Sequence, residues 1–288
     1  MDLNYILLWI VAVSCLLHIY RFSSLRNQIA KNVILLCVII LSIEFLAFII
    51  SPLIAGYLAF AAWFFLLILP ALIRRYNADK QLNQNTQGKK TSKLTIVNLM
   101  ISLNVLAYLA SEILGGSTNP QVLVFLGGLI PELAYQYGQW WRLLTATFLH
   151  FGLLHIFMNC FALYILGPFV EKIIGKARFL LVYLFSGLVS MGLITFLNYF
   201  GLHESHLVIG ASGSVMGVVG ATAGIYFHLW LKTRALSSTE QLKNIGIILL
   251  LQAIFDLSTP QVSFTAHFGG VLAGFILSYL LIVSRSTR

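Results

Sequence analysis

The residues best suited to chemistry lie in three short stretches. The first is Gly210-Ala211-Ser212-Gly213. A serine hydroxyl flanked by small residues is sterically uncovered. At the start of a helix the neighbouring backbone N–H groups lack intrahelical partners and can bind an oxyanion. The second stretch is Ala266-His267-Phe268-Gly269-Gly270, followed by Gly274. Ser212 and His267 have the residue types of a nucleophile and its general base, the pair that acyl transfer needs. The third stretch holds His150, His155 and Asn159. His155 and Asn159 stand at i and i+4 on one helix face, where both could add side-chain donors to the oxyanion site beside Ser212.

Spacing says how these stretches could meet. Gly213, Gly217, Gly220 and Gly224 form a stripe on one helix face, and His267, Gly270 and Gly274 at i, i+3 and i+7 form another. Glycine stripes let two helices approach to backbone contact. If these two faces pack together, Ser212 and His267 meet near the outer third of a membrane. Each feature also has a plainer explanation. Small residues serve helix packing without chemistry, Asn159 can bond between helices, and His267 can bond a backbone carbonyl. His150 and His155, at i and i+5, stand about 140° apart on a helix. No carboxylate is suitably placed beside them, so neither a metal nor a cofactor is expected. No third carboxylate is evident for His267 either. Asp256, like His18 and His228, lies near a span end and is assigned no role, which leaves packing to orient the histidine.

The elements that must carry these residues are membrane helices. The chain has 288 residues, of which 59% are hydrophobic and 9% charged, and its mean hydropathy is +0.90. A soluble domain carries about 25% charged residues. Continuous apolar runs of helical span length argue against a barrel of short alternating strands. Nine spans are predicted, at roughly 4–20, 33–50, 52–73, 94–113, 151–170, 178–200, 210–230, 244–259 and 264–284. The net charge of +9 follows from topology rather than nucleic-acid binding, because no basic patch is interleaved with aromatics. With nine spans, 17 of the 18 basic residues fall on one side, which the positive-inside rule makes cytoplasmic; only Arg142 falls on the other. The N-terminus is then outside and the C-terminus cytoplasmic. Cys15, Cys37 and Cys160 each lie within an apolar run, which disfavours a disulfide. The N-terminus lacks the basic n-region of a cleavable signal, so the first run is expected to remain as an anchor.

The organisation expected is an N-terminal block of three spans over 1–73, a polar cytoplasmic linker over 74–93 and a six-span core over 94–288. No internal repeat supports an inverted-repeat transporter. The outer loop over 114–149 contains Gln139-Trp140-Trp141-Arg142 and reads as a partly buried interfacial element, with Arg142 bound to lipid phosphate or to loop carbonyls. Glu171 beside Lys172 reads as a cytoplasmic helix cap, His203, Glu204 and His206 as a solvated loop, and Glu44 as a mid-span carboxylate facing protein or a polar cavity.

Taken in order, Trp141-Arg142, His150, His155, Asn159, Glu171, Gly-x-Ser-Gly at 210–213, Ala-His-x-Gly-Gly at 266–270 and Gly274 resemble the motifs of the rhomboid family of intramembrane serine proteases, over about residues 94–288. The resemblance implies an all-α polytopic membrane protein with a six-helix core, here preceded by about three extra N-terminal helices. It implies Ser212 as nucleophile, His267 as base, and an oxyanion site from His155, Asn159 and the Ser212 backbone, with His150 nearby. It also implies that the eighth span and the loop before His267 form a lateral gate. Substrates would be single-span membrane proteins whose helices unwind near small residues, cleaved near the extracytoplasmic face. Many members carry an aromatic residue four positions after the serine, stacked on the histidine; this chain has Met216. The expected location is a bacterial cytoplasmic membrane. The rival readings are a non-catalytic rhomboid-like protein that binds membrane helices, and a transporter or channel, for which only Glu44 offers a mid-membrane charge.

Overall fold

The computed structural model describes residues 95–202, 204, 206–258 and 263–286. The three N-terminal spans and the linker expected from the sequence, with Glu44, Cys15, Cys37 and His203, lie outside the described residues. Within them the secondary structure is helical, apart from one isolated antiparallel bridge between Leu129 and Val208. The long helices are α1 (Ile96–Ile113), α5 (Gly152–Ile174), α6 (Lys176–Tyr199), α7 (Ser212–Thr233), α8 (Leu236–Ser258) and α9 (Phe264–Ser286). Short helices α2 (Pro120–Phe125), α3 (Pro131–Tyr135) and α4 (Arg142–Thr145), with a 3₁₀ turn at Ala146–Phe148, fold the outer loop between α1 and α5.

Among the described residues, five helices are long and apolar enough to cross a bilayer. The sixth long helix, α8, is less apolar because Glu240, Lys243 and Asp256 lie within it. The chain is therefore an all-α polytopic membrane protein. In hydrocarbon each backbone N–H and C=O must be satisfied within its own segment, and only helices do this one span at a time. Local signals set the ends. The Thr95 side chain caps α1 by accepting from Asn98 N–H at 3.1 Å, and Asn119 caps α2 with Pro120 in the first turn.

Two predicted loops are shorter than expected. The segment 171–178 is not a loop: α5 runs to Ile174, α6 starts at Lys176, and Gly175, at φ 91°, makes the whole break. The segment 231–243 is mostly helical, with Arg234 in the left-handed region between α7 and α8. In both cases basic residues at the membrane boundary continue the helix, because lysine and arginine are good helix formers whose stems lie along apolar surface.

Helix α7 is buried along almost all of its length from Gly213 to Ile225. Its glycine stripe meets α9 as the spacing predicts. A Cβ on Gly270 would overlap the Gly213 carbonyl, one on Gly274 the Gly217 carbonyl, and one on Gly220 the Val271 carbonyl. The upper part of the same stripe also borders α6, where Gly213 and Gly217 abut Ser190 and Ser186. Val97, Leu163, Phe179, Tyr183 and Val218 form the apolar core that joins α1, α5 and α6 to α7. Leu106, Phe185, Leu250 and Leu280 are exposed on the bundle exterior, where lipid replaces water as solvent.

This seam leaves no room for a larger side chain. Gly274→Val is expected to lower stability by about 1–3 kcal/mol or more, since overpacking forces backbone shifts. Gly246→Ala, on an open face of α8, should be neutral or stabilising by up to about 1 kcal/mol. Unfolding midpoints of the full chain in detergent would check both.

Candidate active site

Ser212 is the first residue of α7. Its N–H precedes the intrahelical ladder, as expected for an oxyanion donor. The approach to it is set by Gly210, whose φ of 131° suits only glycine and whose N–H donates to the Ala146 carbonyl at 2.9 Å. A Cβ on Gly210 would lie 2.8 Å from Cε1 and 2.9 Å from Nε2 of His155, and 3.5 Å from Ser212 Oγ. Gly210 therefore makes room for the His155 ring beside the serine. The Phe151 N–H donates to His155 Nδ1 at 3.3 Å. This leaves Nε2 to carry the proton in the neutral ring.

Asn159 stands one turn below. Its Nδ2 donates to the His155 carbonyl at 2.9 Å, and an amide nitrogen carries a second N–H. His150 is fully buried and plays a different part. Its Nδ1 donates to the Phe148 carbonyl at 3.1 Å, and its ring packs edge-on against His155 with centroids 5.1 Å apart. It braces the His155 ring.

His267 is buried in the first turn of α9. Its neighbours touch those of Ser212: a Cβ on Gly270 would meet Gly213, and Ser190 on α6 donates to the Ala266 carbonyl at 2.6 Å. Among the described residues, Ser212 and His267 make no direct hydrogen bond, a contact that commonly tightens only when substrate binds. His267 Nδ1 instead lies 2.7 Å from Asp256 Oδ2. This corrects the expectation that no carboxylate attends the histidine and that Asp256 has no role. A signal was available, because an acid inside an apolar segment is costly and calls for a partner. Asp256 also lies near the end of α8, only a short connection before α9 begins, so the two helix ends are forced together. Met216 is buried with Val219, Ala223 and Ile245, where α7 meets α8.

Two further motif residues brace the fold rather than the site. Arg142 is buried, with Nη1 donating to the carbonyls of Val124 and Gly128 at 2.7 and 2.8 Å and Nε to Gln139 Oε1 at 2.6 Å. Of the two readings for Arg142, loop carbonyls rather than lipid phosphate are its partners. Its guanidinium lies 4.6 Å from the Trp141 ring, and Trp140 and Trp141 stay exposed.

Glu171 caps a helix, but not its own. Its two carboxylate oxygens accept from Ile96 N–H at 3.2 Å and Val97 N–H at 3.0 Å, at the N-terminus of α1. A carboxylate near the C-terminus of its own helix opposes the macrodipole, whereas at another helix's N-terminus it is favoured. Among the described residues no three His, Cys, Asp or Glu side chains gather as metal ligands.

The family model described as the Rhomboid domain matches residues 137–284. The chain belongs to the rhomboid family. This rhomboid is 34% identical over 193 residues to rhomboid protease GluP of Bacillus subtilis (strain 168), an alignment that covers 67% of this chain and 36% of GluP. It is 28% identical over 214 residues to rhomboid protease AarA of Providencia stuartii, covering 66% and 73% of the two chains. It is 33% identical over 160 residues to the mitochondrial RHOMBOID-like protein 6 of Arabidopsis thaliana, covering 55% and 49%. The chain thus spans less than half the length of two of these relatives.

Loss of the Glu171 cap tests how this rhomboid holds α1. Glu171→Ala leaves one buried and one part-buried N–H group without their acceptor, and should destabilise the bundle by about 1–3 kcal/mol. Glu171→Gln, which keeps one acceptor oxygen, should fall between. Thermal unfolding of the purified protein would rank the three.

Proposed function

We propose that the chain is an intramembrane serine endopeptidase that cuts single-span membrane proteins near the extracytoplasmic face. The observation that carries this reading is the convergence at the outer end of α7. The Ser212 hydroxyl and the His155 ring share the hollow that Gly210 leaves, and the helix bearing His267 packs backbone to backbone beside them.

In this reading Ser212 Oγ attacks the scissile carbonyl while His267 Nε2 takes its proton. The oxyanion that forms is met by the Ser212 N–H, the His155 Nε2–H and the second Asn159 N–H. His267 then gives its proton to the leaving amine as the C–N bond breaks, and water hydrolyses the acyl-enzyme by the same base. The polar lining of His155, Asn159, Ser212 and His267 gives that water a path below the membrane surface. Residues 94–288 form the protease core of six helices, with α8 and the connection before α9 as the lateral opening for substrate. The distribution of basic residues supports a cytoplasmic C-terminus and an N-terminus outside, in what we take to be a bacterial cytoplasmic membrane.

In proteoliposomes carrying a single-span reporter, Ser212→Ala is expected to abolish cutting while the protein remains inserted. His155→Ala should lower kcat by about 10²–10³-fold, the effect of removing one oxyanion donor. A fluorophosphonate should label Ser212 in the wild type. Cutting retained by Ser212→Ala would remove Ser212 from its role. Absence of both labelling and cutting in folded wild type would favour a non-catalytic protein that binds membrane helices.

A further inference from the structure

We propose that the end of the bundle opposite Ser212 is a binding surface for anionic phospholipid, with the Arg234 guanidinium, held on the Trp230 ring, as the contact for the headgroup phosphate. None of the residues assigned to proteolysis takes part, so this surface stands or falls separately from that reading.

Helices α5 and α7 both begin beside the candidate active site, so their far ends, at Ile174 and Thr233, lie at the other end of the bundle. The stacked rings of Phe169 and Tyr226, with centroids 5.3 Å apart, tie these two ends together. Each end turns at once into the next helix, α6 at Lys176 and α8 at Leu236. Lys172, Lys176, Lys232, Arg234 and Lys243 are exposed around the two turns, and Arg178 is half-buried. Glu171 is buried and engaged by the α1 N–H groups, so among the described residues Glu240 is the one exposed acid there. At the Ser212 end the balance is reversed, with Glu112 and Glu204 exposed and Arg142 buried. Ile173, Leu231 and Leu236 stand exposed beside the bases, Leu236 at 82%. A phospholipid has the matching form, an anionic head on an apolar tail. A free phosphate would make no use of the leucines.

Sorting of charge during membrane insertion is the competing account. It explains why the bases share one end, but not the form given to Arg234. Among the described residues, Arg234 is the only one other than glycine at positive φ, 51°, a conformation that glycine or asparagine adopts at lower cost after a helix. Its N–H closes α7 on the Trp230 carbonyl at 2.9 Å, and its guanidinium carbon lies 4.1 Å from the Trp230 ring centroid. The stack occupies the flat face of the guanidinium and leaves the N–H donors around its edge. Such a fork, fixed in direction beside an apolar surface, suits a phosphate group, which accepts two parallel N–H bonds. Tryptophan favours the membrane–water interface, the level of the headgroups. The lysines at 172, 176 and 232 add attraction that is not directional.

The test is native mass spectrometry of the full chain in detergent, with phosphatidylglycerol and phosphatidylcholine of the same acyl chains added in equal amounts. The wild type should bind phosphatidylglycerol with a Kd about tenfold or more below that for phosphatidylcholine. Arg234→Gln should weaken phosphatidylglycerol binding about fivefold, the effect of one charge at the surface. Arg234→Lys keeps the charge but not the planar fork and should fall between, and Trp230→Leu should weaken binding as well. Phosphatidylcholine binding should stay the same in all of them. Equal retention of the two lipids by the wild type would overturn the proposal, and that measurement needs no variant to fold. Phosphatidylglycerol binding unchanged in Arg234→Gln would overturn it too, leaving charge sorting as the account of the basic end. Displacement of the lipid by millimolar inorganic phosphate would mean a site for a free anion and would likewise overturn it. Ser212→Ala should bind phosphatidylglycerol as the wild type does, so loss of cutting and loss of lipid binding are read separately.

Discussion

The structure depends on one constraint, that two membrane helices approach until their backbones touch. Lipid tails are as apolar as leucine, so no hydrophobic force drives α7 against α9; close packing must supply the attraction. Glycine at 220, 224, 270 and 274 removes Cβ atoms that would strike the facing helix, and glycine at 213 and 217 makes room for Ser190 and Ser186 of α6. Dispersion is steep with distance, and a gap of half an ångström already forfeits much of it. The same approach brings the first turn of α7, with Ser212, alongside the first turn of α9, with His267. Stability of the bundle and geometry of the proposed reaction are in this sense one requirement.

Around that seam several buried polar side chains have a specific partner, although the Ser186 and Ser214 hydroxyls on α6 and α7 have none. Asn104 donates to the Met100 carbonyl at 2.8 Å and to the Tyr183 hydroxyl at 3.1 Å, stitching α1 to α6. Glu171 closes the start of α1. Arg142 gathers the loop between α1 and α5 by donating to the Val124 and Gly128 carbonyls. The Asn104–Tyr183 and Glu171–Val97 pairings join segments 79 and 74 residues apart in the chain, which apolar contact with lipid could not specify. His267 is paired with Asp256, and Met216 packs among Val219, Ala223 and Ile245.

Much of this was legible in the sequence. Apolar run length located the described spans to within a few residues, except that α8 begins at Leu236 rather than near 244. Helical spacing showed which glycines share a face, and the small residues around Ser212 pointed to the start of a helix. What could not be read was pairing over distance. Periodicity assigns a residue to a face of its own helix but not to a partner on another, so the sequence shows Glu171 as a helix cap without saying which helix it caps, and shows no partner for Asp256. Lysine and arginine at 172, 176, 178 and 232 were read as loop because charge marks the membrane boundary, while the backbone continues through it as helix. The three N-terminal spans and Glu44 lie outside the described residues.

The glycine seam has a thermal corollary. Most helix interfaces in proteins freeze leucine or methionine rotamers when they form, and so give back part of their energy as lost side-chain entropy. Between α7 and α9 much of the contact is peptide against peptide, with the Ser278 hydroxyl reaching the Ala221 carbonyl farther along. Little torsional freedom is surrendered there, and few torsions remain that could fluctuate. The alcohol and the imidazole therefore ride on a joint that is stiff by construction, and their spacing should vary less with temperature than it would across an interface of long side chains.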